Sequence, residues 1–599
     1  MCGIAGVLKA GKTLYAGNAS DLVTTLCRLQ QHRGPDAEGI WAAPDGRCVL
    51  GHRRLAIIDL DARSNQPMVS RDARYTTVFN GEIYNFRDLR DELQKLGSTF
   101  KTTSDTEVLL EAFRQWGTKM FHRLDGMFAL AIYDTQTGDL VLARDRLGEK
   151  PLYGARAQQI IAFASEIKPL LTVPGLSHDI SEASLYEYFA LRYVMDPHTL
   201  YESISSVQPG TFQVFRGDGI WSEHNYFAFD IPAERVPVAD NNYLDALEDA
   251  LTKAIRTRLV ADVPVGAFLS SGVDSSLVCG IASERLGSDI RCFSAGFHGS
   301  KESETALARQ IAAAYGLPFD EYVVSEQDLL DTASTFGAIL DEPNGDRSCV
   351  PTFFLSRLVR QRVTVAISGD GGDELFGGYG RYAALRSHLG YEDSPIDAVC
   401  SYFSRGLPVF DWDALNQALP GQAARFRQRV ASRFATVFAR KNLDDIERLR
   451  LIDLHSYLPG AVLAKVDRMS MRHSLEVRTP FFSPELLRLS TLLPMNLCAD
   501  GRLLKVALRR LLARYLPANL IHTRKLGFGM PASFFTTHAQ VFARLAERAD
   551  DALAQWPPLR ERPEALAILR RASRDNINSL WAWIVLGQWS ETLPTASLS

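Results

Sequence analysis

The stretch that decides the fold of the second half is Val265-Gly266-Ala267-Phe268-Leu269-Ser270-Ser271-Gly272-Val273-Asp274-Ser275-Ser276. An apolar run, a loop of small residues and a helix start follow one another, which is typical of a buried strand whose loop presents backbone N–H groups to an anion. The stretch lacks the Gly-Lys-Ser/Thr ending of a Walker loop and carries an acid, Asp274. Because a carboxylate repels phosphates unless a cation bridges them, the loop predicts a phosphate site that uses Mg²⁺.

A second loop of this kind follows the apolar run Val363–Ile367, with the sequence Ser368-Gly369-Asp370-Gly371-Gly372-Asp373-Glu374-Leu375-Phe376-Gly377-Gly378. Three acids among glycines are too polar for a core, so they favour a cation or a cationic group as partner. If both apolar runs belong to one parallel sheet, Asp274 and Asp373 meet at the same edge of that sheet.

The residues around these loops alternate between apolar runs and helical patterns. The runs are Val265–Leu269, Ile290–Phe297, Phe319–Val324 and Val363–Ile367, and the helical segments are Ser275–Leu286, Glu304–Tyr315 and Thr352–Arg360. This alternation predicts βαβ units around a buried parallel sheet, which is an α/β fold. From about residue 380 onward the pattern is predicted to be mostly helical.

The first part of the chain has a different pattern, in which short apolar runs bounded by turn residues predict strands. The predicted strands are Cys2–Leu8, Cys48–Arg53, Tyr75–Tyr84, Met127–Asp134, Leu140–Arg144 and Ile160–Ala164, and Tyr201–Phe215 is also strand-like. Two helices, Phe86–Leu96 and Thr106–Trp116, are predicted between the third and fourth strands. We expect a layered α+β domain over 2–215, a linker over 216–240, the α/β domain over 241–535 and a helical extension over 536–599.

Composition narrows the function classes. The chain of 599 residues is 46% apolar with a net charge of −4, so it is expected to be globular and to have no overall electrostatic drive toward nucleic acid. Its eight cysteines form no CxxC pair, which favours reduced thiols over a zinc site. No apolar run reaches the roughly 20 residues of a membrane helix and no secretory signal is present, so we expect a cytoplasmic protein without membrane partners.

The amino terminus places a thiol at position 2, in Met1-Cys2-Gly3-Ile4-Ala5-Gly6. If Met1 is removed, Cys2 carries a free α-amine beside its thiol. Nucleophile and general base then belong to the same residue, and no histidine partner is required.

Six motifs of the first half resemble, in order, the class II glutamine amidotransferase domains, which are N-terminal-nucleophile hydrolases. They are Met1–Gly6, Arg33-Gly34-Pro35-Asp36, His52-Arg53-Arg54-Leu55, Asn80-Gly81-Glu82-Ile83-Tyr84-Asn85, Ser104-Asp105-Thr106-Glu107 and Arg144-Asp145-Arg146-Leu147-Gly148. The resemblance implies that Cys2 attacks glutamine in a layered sandwich fold. It implies that Arg54 and Asp105 bind the α-carboxylate and ammonium of glutamine, that Asn80 and the Gly81 N–H form an oxyanion hole, and that Glu82 borders this site.

The second half resembles the PP-loop synthetase domain of asparagine synthetases. Ser270–Ser276 is similar to the S-G-G-x-D-S loop of the PP-loop superfamily, and Leu463–Met471 and Glu476–Phe481 also match the family. The resemblance implies that Asp274 and Asp373 carry Mg²⁺ and that Lys505 neutralises developing charge. ATP and pyrophosphate would bind at Leu269, Ser270, Gly272, Asp274, Ser275, Ser368 and Gly369.

Two positions depart from the family pattern. Ser271 replaces the first of the paired glycines and fits only if its backbone needs no positive φ. Asp370 stands where asparagine synthetases have a glutamate that helps to deprotonate the attacking ammonia, and the shorter side chain bears on which acceptor is used.

Together the two resemblances imply an enzyme that converts glutamine, ATP and a carboxylate into glutamate, AMP, pyrophosphate and an amide, with ammonia moving through an internal passage. L-Aspartate is the preferred acceptor, and a sugar acid or biosynthetic intermediate is the alternative. The expected partners are these small molecules, and a homodimer is consistent with the family.

Each of three rival interpretations leaves some of the motifs unexplained. A phosphoribosyl-transferring amidotransferase has no need of Ser270–Ser276. A PP-loop tRNA modifier has no need of Cys2 with Arg54 and Asp105 and is expected to have a stronger basic field. A catalytically inactive interaction protein has no need of a competent side chain at every matched position.

Overall fold

The computed structural model of the protein describes residues 2–9, 18–157, 160–217, 220–234, 239–298, 305–333, 336–389, 394–407, 409–500, 503–521 and 528–593. Within these ranges no helix combines the length and the apolar character needed to cross a membrane.

The amino-terminal domain contains two antiparallel sheets. Its strands are β1 Gly3–Lys9, β2 Ala37–Ala42, β3 Cys48–Arg54, β4 Met68–Val69, β5 Tyr75–Ile83, β6 Gly126–Asp134, β7 Asp139–Arg144, β8 Tyr153–Ala157, β9 Ile160–Ala164, β10 Ile204–Ser206, β11 Thr211–Phe215 and β12 Trp221–Asn225. The strand order is β10-β8-β9-β1-β3-β2 in the first sheet and β12-β11-β7-β6-β5-β4 in the second.

The two sheets pack face to face and helices cover their outer faces. The helices of this domain are α1 Ala19–Leu29, α2 Phe86–Lys95, α3 Asp105–Trp116, α4 Ile167–Leu170 and α5 Glu182–Leu191, with 3₁₀ turns at Ala62–Ser64 and Gly117–His122. The inner core joins residues of β1 and β3, such as Ile4 and Leu50, to Val78 of β5. Helices α2 and α3 pack on the outer face of the second sheet, and α1 packs on that of the first. The central strands of both sheets bury residues on both of their faces, which gives the domain four layers.

The second domain is organised around a parallel sheet. Its strands are β13 Val265–Phe268, β14 Arg291–Phe297, β15 Phe319–Val324, β16 Val365–Ile367 and β17 Glu476–Arg478 in the order β15-β14-β13-β16-β17. The helices up to the second loop are α6 Asp240–Arg258, α7 Val273–Glu284, α8 Thr305–Ala314, α9 Glu326–Ala333, α10 Phe336–Ile339 and α11 Cys349–Arg360. Strand order reverses between β13 and β16, which is where open parallel sheets bind their ligands.

The remainder is mostly helical. The helices are α12 Gly372–Phe376, α13 Gly380–Leu389, α14 Pro395–Ser401, α15 Trp412–Ala418, α16 Gln422–Phe438, α17 Asp445–His455, α18 Ala464–Met471, α19 Pro484–Thr491, α20 Met495–Cys498, α21 Val506–Leu512, α22 Ala532–Thr537, α23 Ala539–Gln555, α24 Pro557–Arg560, α25 Pro563–Ala572 and α26 Ile577–Ser590. Short π turns at Tyr402–Gly406 and Leu458–Leu463, 3₁₀ turns at Pro480–Phe482 and Ala518–Leu520, and the hairpin β18 Ala499–Asp500 with β19 Leu503–Leu504 complete it.

Both predicted fold classes are confirmed, and several elements differ from the sequence expectation. Helices α1 and α5 were not predicted, nor were β2 and β8. Strand β12 lies inside the predicted linker 216–240 and pairs with β11, so the second sheet continues further along the chain. The region after residue 380 also contains a strand, β17. It pairs in parallel with β16, and Val365 lies beside Glu476.

Candidate active sites

The predicted nucleophile lies at the start of β1, between the two domains. The Cys2 side chain is buried, and its backbone N–H donates to Asn80 Oδ1 at 2.9 Å. Burial raises the pKa of the Cys2 thiol, and the nearby Glu476 carboxylate raises that pKa further. An α-amine at Cys2, as left by removal of Met1, would therefore already have a hydrogen-bond partner in Asn80.

The predicted oxyanion hole has its donors on one edge of β5. Asn80 Nδ2 is buried and has no hydrogen-bond partner among the described residues. The N–H groups of Phe79 and Ile83 donate to side chains outside the sheet at this edge, Gln66 Oε1 at 2.6 Å and Asp105 Oδ2 at 3.0 Å. Since N–H directions alternate along a strand, the Gly81 N–H faces the same edge. A donor pair for an oxyanion is thus present.

Arg54 is held differently from the expectation. Its terminal nitrogens donate to the carbonyl oxygens of Ile58, Asp59 and Asp61 and to Asn65 Oδ1. The fork is thus directed at the loop that follows β3. The predicted bond to a glutamine carboxylate requires these contacts to rearrange, so this role stays a prediction.

The predicted ammonium ligand Asp105 is buried at the start of α3. Burial raises the pKa of the Asp105 carboxyl to about 6. Glu82, on β5, is also buried, and burial together with the Glu476 carboxylate raises the pKa of Glu82 well above its usual value. These acids gain from a cation that a substrate brings with it.

Strand β17 of the second domain contributes charges to this first site. Arg478 Nη2 lies 3.4 Å from Glu82 Oε1, and Arg478 Nε donates to Glu476 Oε1 at 2.6 Å. The motif containing both residues is part of the predicted family pattern, but neither residue has a predicted role. The sequence does contain a signal for such a role, because charged residues stand on both sides of Val477 in a short strand whose three residues are all buried.

Arg33 is a second residue without a predicted role. Its Nε donates to the Cys2 carbonyl oxygen at 3.1 Å, and its two terminal nitrogens donate to the Asp467 carboxylate at 2.9 Å each. It also pairs with Glu166 at 3.0 Å. Arg33 therefore ties Cys2 to α18 of the second domain.

The two phosphate loops lie side by side at the reversal of strand order. The first follows β13 and the second follows β16, with Ala267 and Ile367 paired in register. A Cβ on Gly372 would lie 2.6 Å from Asp274 Oδ1, and one on Gly369 would lie 2.8 Å from the Ser275 nitrogen. Glycine at both positions lets the loops touch, so the predicted meeting of their acids is confirmed by the geometry.

The first loop is closed by its own hydroxyl groups. The Ser270 N–H donates to Ser275 Oγ at 3.1 Å, and the Gly272 N–H donates to Ser270 Oγ at 3.0 Å. Leu269 is fully buried beneath the loop. The φ of Ser271 is not positive, which meets the condition for serine at this position.

Lys505 bridges the acids of the two loops. Its Nζ bonds to Asp274 Oδ2 and lies 2.8 Å from Asp373 Oδ1. Burial lowers the pKa of Lys505, but the two carboxylates outweigh burial and leave it raised. No group of three or more metal-ligating side chains occurs among the described residues. Two carboxylates beside a phosphate loop nevertheless suit Mg²⁺, which usually takes one or two carboxylates and completes its shell with phosphates and water.

Asp370 lies where the cleft meets the domain interface. Its Oδ2 accepts from Ser368 Oγ at 2.8 Å, and its carbonyl oxygen accepts from Thr479 Oγ1 at 2.7 Å. The cleft above the loops has a volume of about 670 Å³, and Ser368, Gly369, Asp370 and Lys505 are among its lining residues. A much smaller cavity of about 20 Å³, room for about one water molecule, touches Ser368 and Asp370 on one side and Glu149 and Lys150 of the first domain on the other.

Comparisons with known proteins follow the same division. A family model described as "Glutamine amidotransferase domain" matches residues 1–227, and one described as "Asparagine synthase" matches residues 246–590. The chain belongs to the asparagine synthetase family. It is 31% identical to the glutamine-hydrolysing asparagine synthetase 1 of Bacillus subtilis, over 89% of this chain and 87% of that protein.

Two further proteins are similar to this chain over different shares of its length. The glutamine-hydrolysing asparagine synthetase 3 of Bacillus subtilis is 29% identical over 88% of this chain and 86% of that protein. Amidase chry2 of Gibberella zeae is 30% identical over 64% of this chain and 60% of that protein. The chain is therefore a glutamine-dependent amidotransferase of the asparagine synthetase type.

Proposed function

We propose that the enzyme adenylates L-aspartate with ATP and amidates it with ammonia released from glutamine at Cys2, giving asparagine, glutamate, AMP and pyrophosphate. The observation that carries the proposal is the bridge from Lys505 to Asp274 and Asp373. It places one cation and two acids at the reversal of strand order, beside a loop suited to phosphate.

In the synthetase half, Ser270, Gly272 and Ser275 would bind the β- and γ-phosphates, and Asp274 and Asp373 would hold Mg²⁺. The metal supplies positive charge that reduces repulsion between the phosphates and the attacking carboxylate. Leu269, Ser368 and Gly369 would shape the nucleotide site. Lys505 would stabilise the negative charge that develops as the acyl-adenylate forms and is then attacked.

In the glutaminase half, the Cys2 thiol would attack the side-chain amide of glutamine after its proton passes to the free α-amine. Asn80 Nδ2 and the Gly81 N–H would stabilise the tetrahedral oxyanion. The amine would then return a proton to the leaving ammonia, and water would release glutamate from the thioester. Asp105 would bind the substrate ammonium.

Ammonia would reach the acyl-adenylate through an internal passage. The cavity between Glu149 and Lys150 on one side and Asp370 on the other supports this route, because it lies at the domain interface and reaches the loop after β16. Ammonia released into water would be mostly protonated at neutral pH and would no longer be a nucleophile. Asp370 would take a proton from the attacking ammonia.

The expected setting of the reaction is also part of the proposal. Glutamine, ATP and the carboxylate are the proposed partners, in a cytoplasmic enzyme that forms a homodimer and binds neither nucleic acid nor membrane. Light scattering of the purified chain tests the dimer.

A panel of carboxylates scored for AMP and pyrophosphate release tests the proposal. With glutamine and Mg-ATP present, aspartate should stimulate release and yield asparagine. A second candidate, an acceptor other than aspartate, is favoured by the shorter Asp370 side chain. Release with a different acid and none with aspartate would establish that alternative, and release with no acid at all would contradict the reaction.

A further inference from the structure

A small cavity lies between the two domains, beside the proposed ammonia route. Its walls come from the end of β7 and the segment after α5 in the first domain, and from the turn before α18 in the second. It has a volume of about 30 Å³, room for about two water molecules. We name it the interface cavity. It shares Glu149 and Asp467 with the cavity that reaches Asp370, so the two cavities are neighbours.

Glu149 makes the interface cavity unusual. It is only 8% exposed and lines the cavity, but its carboxyl group has no hydrogen bond or ion pair with any described residue. Its backbone N–H donates to Asp145 Oδ1 at 2.9 Å. Buried polar groups almost always have a partner. A buried carboxyl group without one, in the wall of a cavity, therefore indicates a ligand in that cavity.

The other walls offer hydrogen-bond acceptors. Glu342 Oε1 accepts from the Leu200 N–H at 2.5 Å, and Glu342 Oε2 has no partner among the described residues. Burial lowers the pKa of His198 to about 4, so this ring is neutral at pH 7 and carries a lone pair. Arg144 also lines the cavity, but all three of its nitrogens already donate, to Asp196 and to backbone carbonyl oxygens. These walls suit a ligand that carries only donors.

The proton for a bound ammonium ion can come from the cavity itself. Burial, followed by the Asp145 carboxylate, raises the pKa of Glu149 to about 8, and burial raises the pKa of Glu342 to about 8. Ammonia that enters would take the proton of one carboxyl group and form ammonium beside the carboxylate. One proton moves from oxygen to nitrogen, so the net charge of the cavity is unchanged. A metal ion is less suited, because the described residues contain no group of three or more metal-ligating side chains.

We propose that the interface cavity binds ammonium, held by the carboxyl groups of Glu149 and Glu342. Nitrogen released at Cys2 would wait there as ammonium while no acyl-adenylate is present. It would leave as ammonia once one has formed, and its proton would return to the carboxylate. This inference rests on the proposed function and adds a ligand site to it.

Magnetic resonance of the full-length enzyme with ¹⁵N-labelled ammonium chloride tests the site directly. A buried ammonium ion exchanges its protons with water slowly, so wild-type enzyme should show a bound signal separate from that of the free ion. Glu149→Gln keeps the size of the side chain but removes the charge-assisted hydrogen bond, and it should weaken binding by about tenfold or more. Glu342→Gln should act in the same direction.

Glu111→Gln is the matched control, because Glu111 is also buried in the first domain but lies outside the cavity and pairs with Arg114 Nε at 2.9 Å. Its bound signal should match that of wild type. No bound signal in wild type would mean that the cavity holds water only and would overturn the inference. A signal that is unchanged in both Glu149→Gln and Glu342→Gln would belong to another site, with the same consequence.

The ratio of amide formed to glutamine hydrolysed tests how the site is used. With the acceptor at its KM, roughly half of the enzyme has no acyl-adenylate when ammonia is released, so the ratio should fall about twofold in Glu149→Gln and Glu342→Gln. At saturating acceptor both variants should approach the wild-type ratio. Wild-type ratios in both variants at the lower concentration would contradict retention of nitrogen, and so would a ratio lowered equally at every concentration, since a structural defect has that effect.

The two measurements separate this inference from the proposed function. If no acid stimulates pyrophosphate release but the bound ammonium signal is present and is lost in Glu149→Gln, the proposed reaction fails and the ammonium site stands. If aspartate is amidated but wild-type enzyme shows no bound signal, the reaction stands and the ammonium site fails.

Discussion

Acids surround both candidate sites, buried at the first and partly exposed at the second, and they are held in opposite ways. At the glutaminase site, Asp105 and Glu82 have raised pKa values, caused first by burial and increased by the carboxylate of Glu476. At the synthetase site, Asp274 and Asp373 share the ammonium group of Lys505. The first arrangement suits a substrate that brings its own cation, and the second suits exchange of protein charge for Mg²⁺ and phosphate. The same types of acid thus suit either a substrate cation or Mg²⁺ with phosphate, and the surroundings of each carboxyl group determine which of the two it suits.

Removing the nucleophile should separate the two sites most completely. Cys2→Ala is expected to reduce glutamine-dependent synthesis by about 10⁵-fold or more, since loss of a covalent nucleophile has effects of this size. Ammonia-dependent synthesis should persist, because only the nitrogen source is lost. Amide formation from each donor measures this. Loss of both activities would contradict independent sites, and full activity of an enzyme that retains Met1 by mass spectrometry would contradict the role of the free α-amine at Cys2.

Breaking the link between the sites should mainly affect stability. Arg33→Met removes the bidentate partner of the Asp467 carboxylate and leaves it only the bond from Arg468 Nη1 at 3.0 Å, so the loss should approach the roughly 3–5 kcal/mol of a fully broken buried pair without exceeding it. Arg63→Met is the matched control, because Arg63 is half exposed and its pair with Asp59 should contribute at most about 1 kcal/mol. Urea unfolding compares them. Equal midpoints would mean that Arg33 does not hold the domains together.

Lys505 tests the synthetase arrangement alone. Lys505→Met should lower kcat for pyrophosphate release by about 10²–10³-fold, the usual effect of losing one preorganised charge at a transition state. Lys505→Arg should retain more activity, and glutamine hydrolysis should be unaffected. Equal kcat values for Lys505→Met and wild type would remove Lys505 from the mechanism.

The pH dependence tests the glutaminase acids. The Asp105 carboxyl, with its pKa raised to about 6, is charged above that pH and neutral below it. Glutamine binding through the substrate ammonium should therefore weaken as the pH falls through 6. We expect kcat/KM for glutamine hydrolysis to fall about tenfold per pH unit below this value, because kcat/KM reports the free enzyme. Asp105→Asn should have a lower kcat/KM at every pH, and its pH profile should lack the inflection near 6. If the inflection is unchanged in Asp105→Asn, it belongs to another group.

The smallest effect is expected where the sequence departs from the family pattern. Ser271→Gly should change the free energy of unfolding by less than about 0.5 kcal/mol and leave the KM for ATP nearly unchanged, because Ser271 already has an ordinary φ. A large gain in ATP affinity would show that serine strains the loop.

The sequence predicted the parts of both sites that depend on local pattern. A strand followed by a loop of small residues identifies Ser270–Ser275, and the rule for parallel strands brings Asp274 and Asp373 together. Lys505 was reached only through resemblance, because its position 231 residues beyond Asp274 carries no local signal.

Most of the features that the sequence does not predict lie between the two domains. Strand β17 is three residues long, too short for a periodic pattern, and it becomes a strand only because β16 is beside it. The contact of Arg33 with Asp467 joins motifs 434 residues apart. Helix α1 had a local signal, the Asn18 cap, whose side chain accepts the Ser20 N–H.

Because strand β17 supplies charged residues to the first site, that site is complete only when the second domain is present. A fragment that ended at the linker would contain Cys2 and Glu82 but lack Arg478, so Glu82 would have no cationic neighbour from the second half. Strand β17 is also hydrogen-bonded to the loop after β16, since the Ser368 N–H donates to the Arg478 carbonyl oxygen at 2.9 Å. A displacement of that loop by a nucleotide would therefore be transmitted through β17 to the environment of the Cys2 thiol.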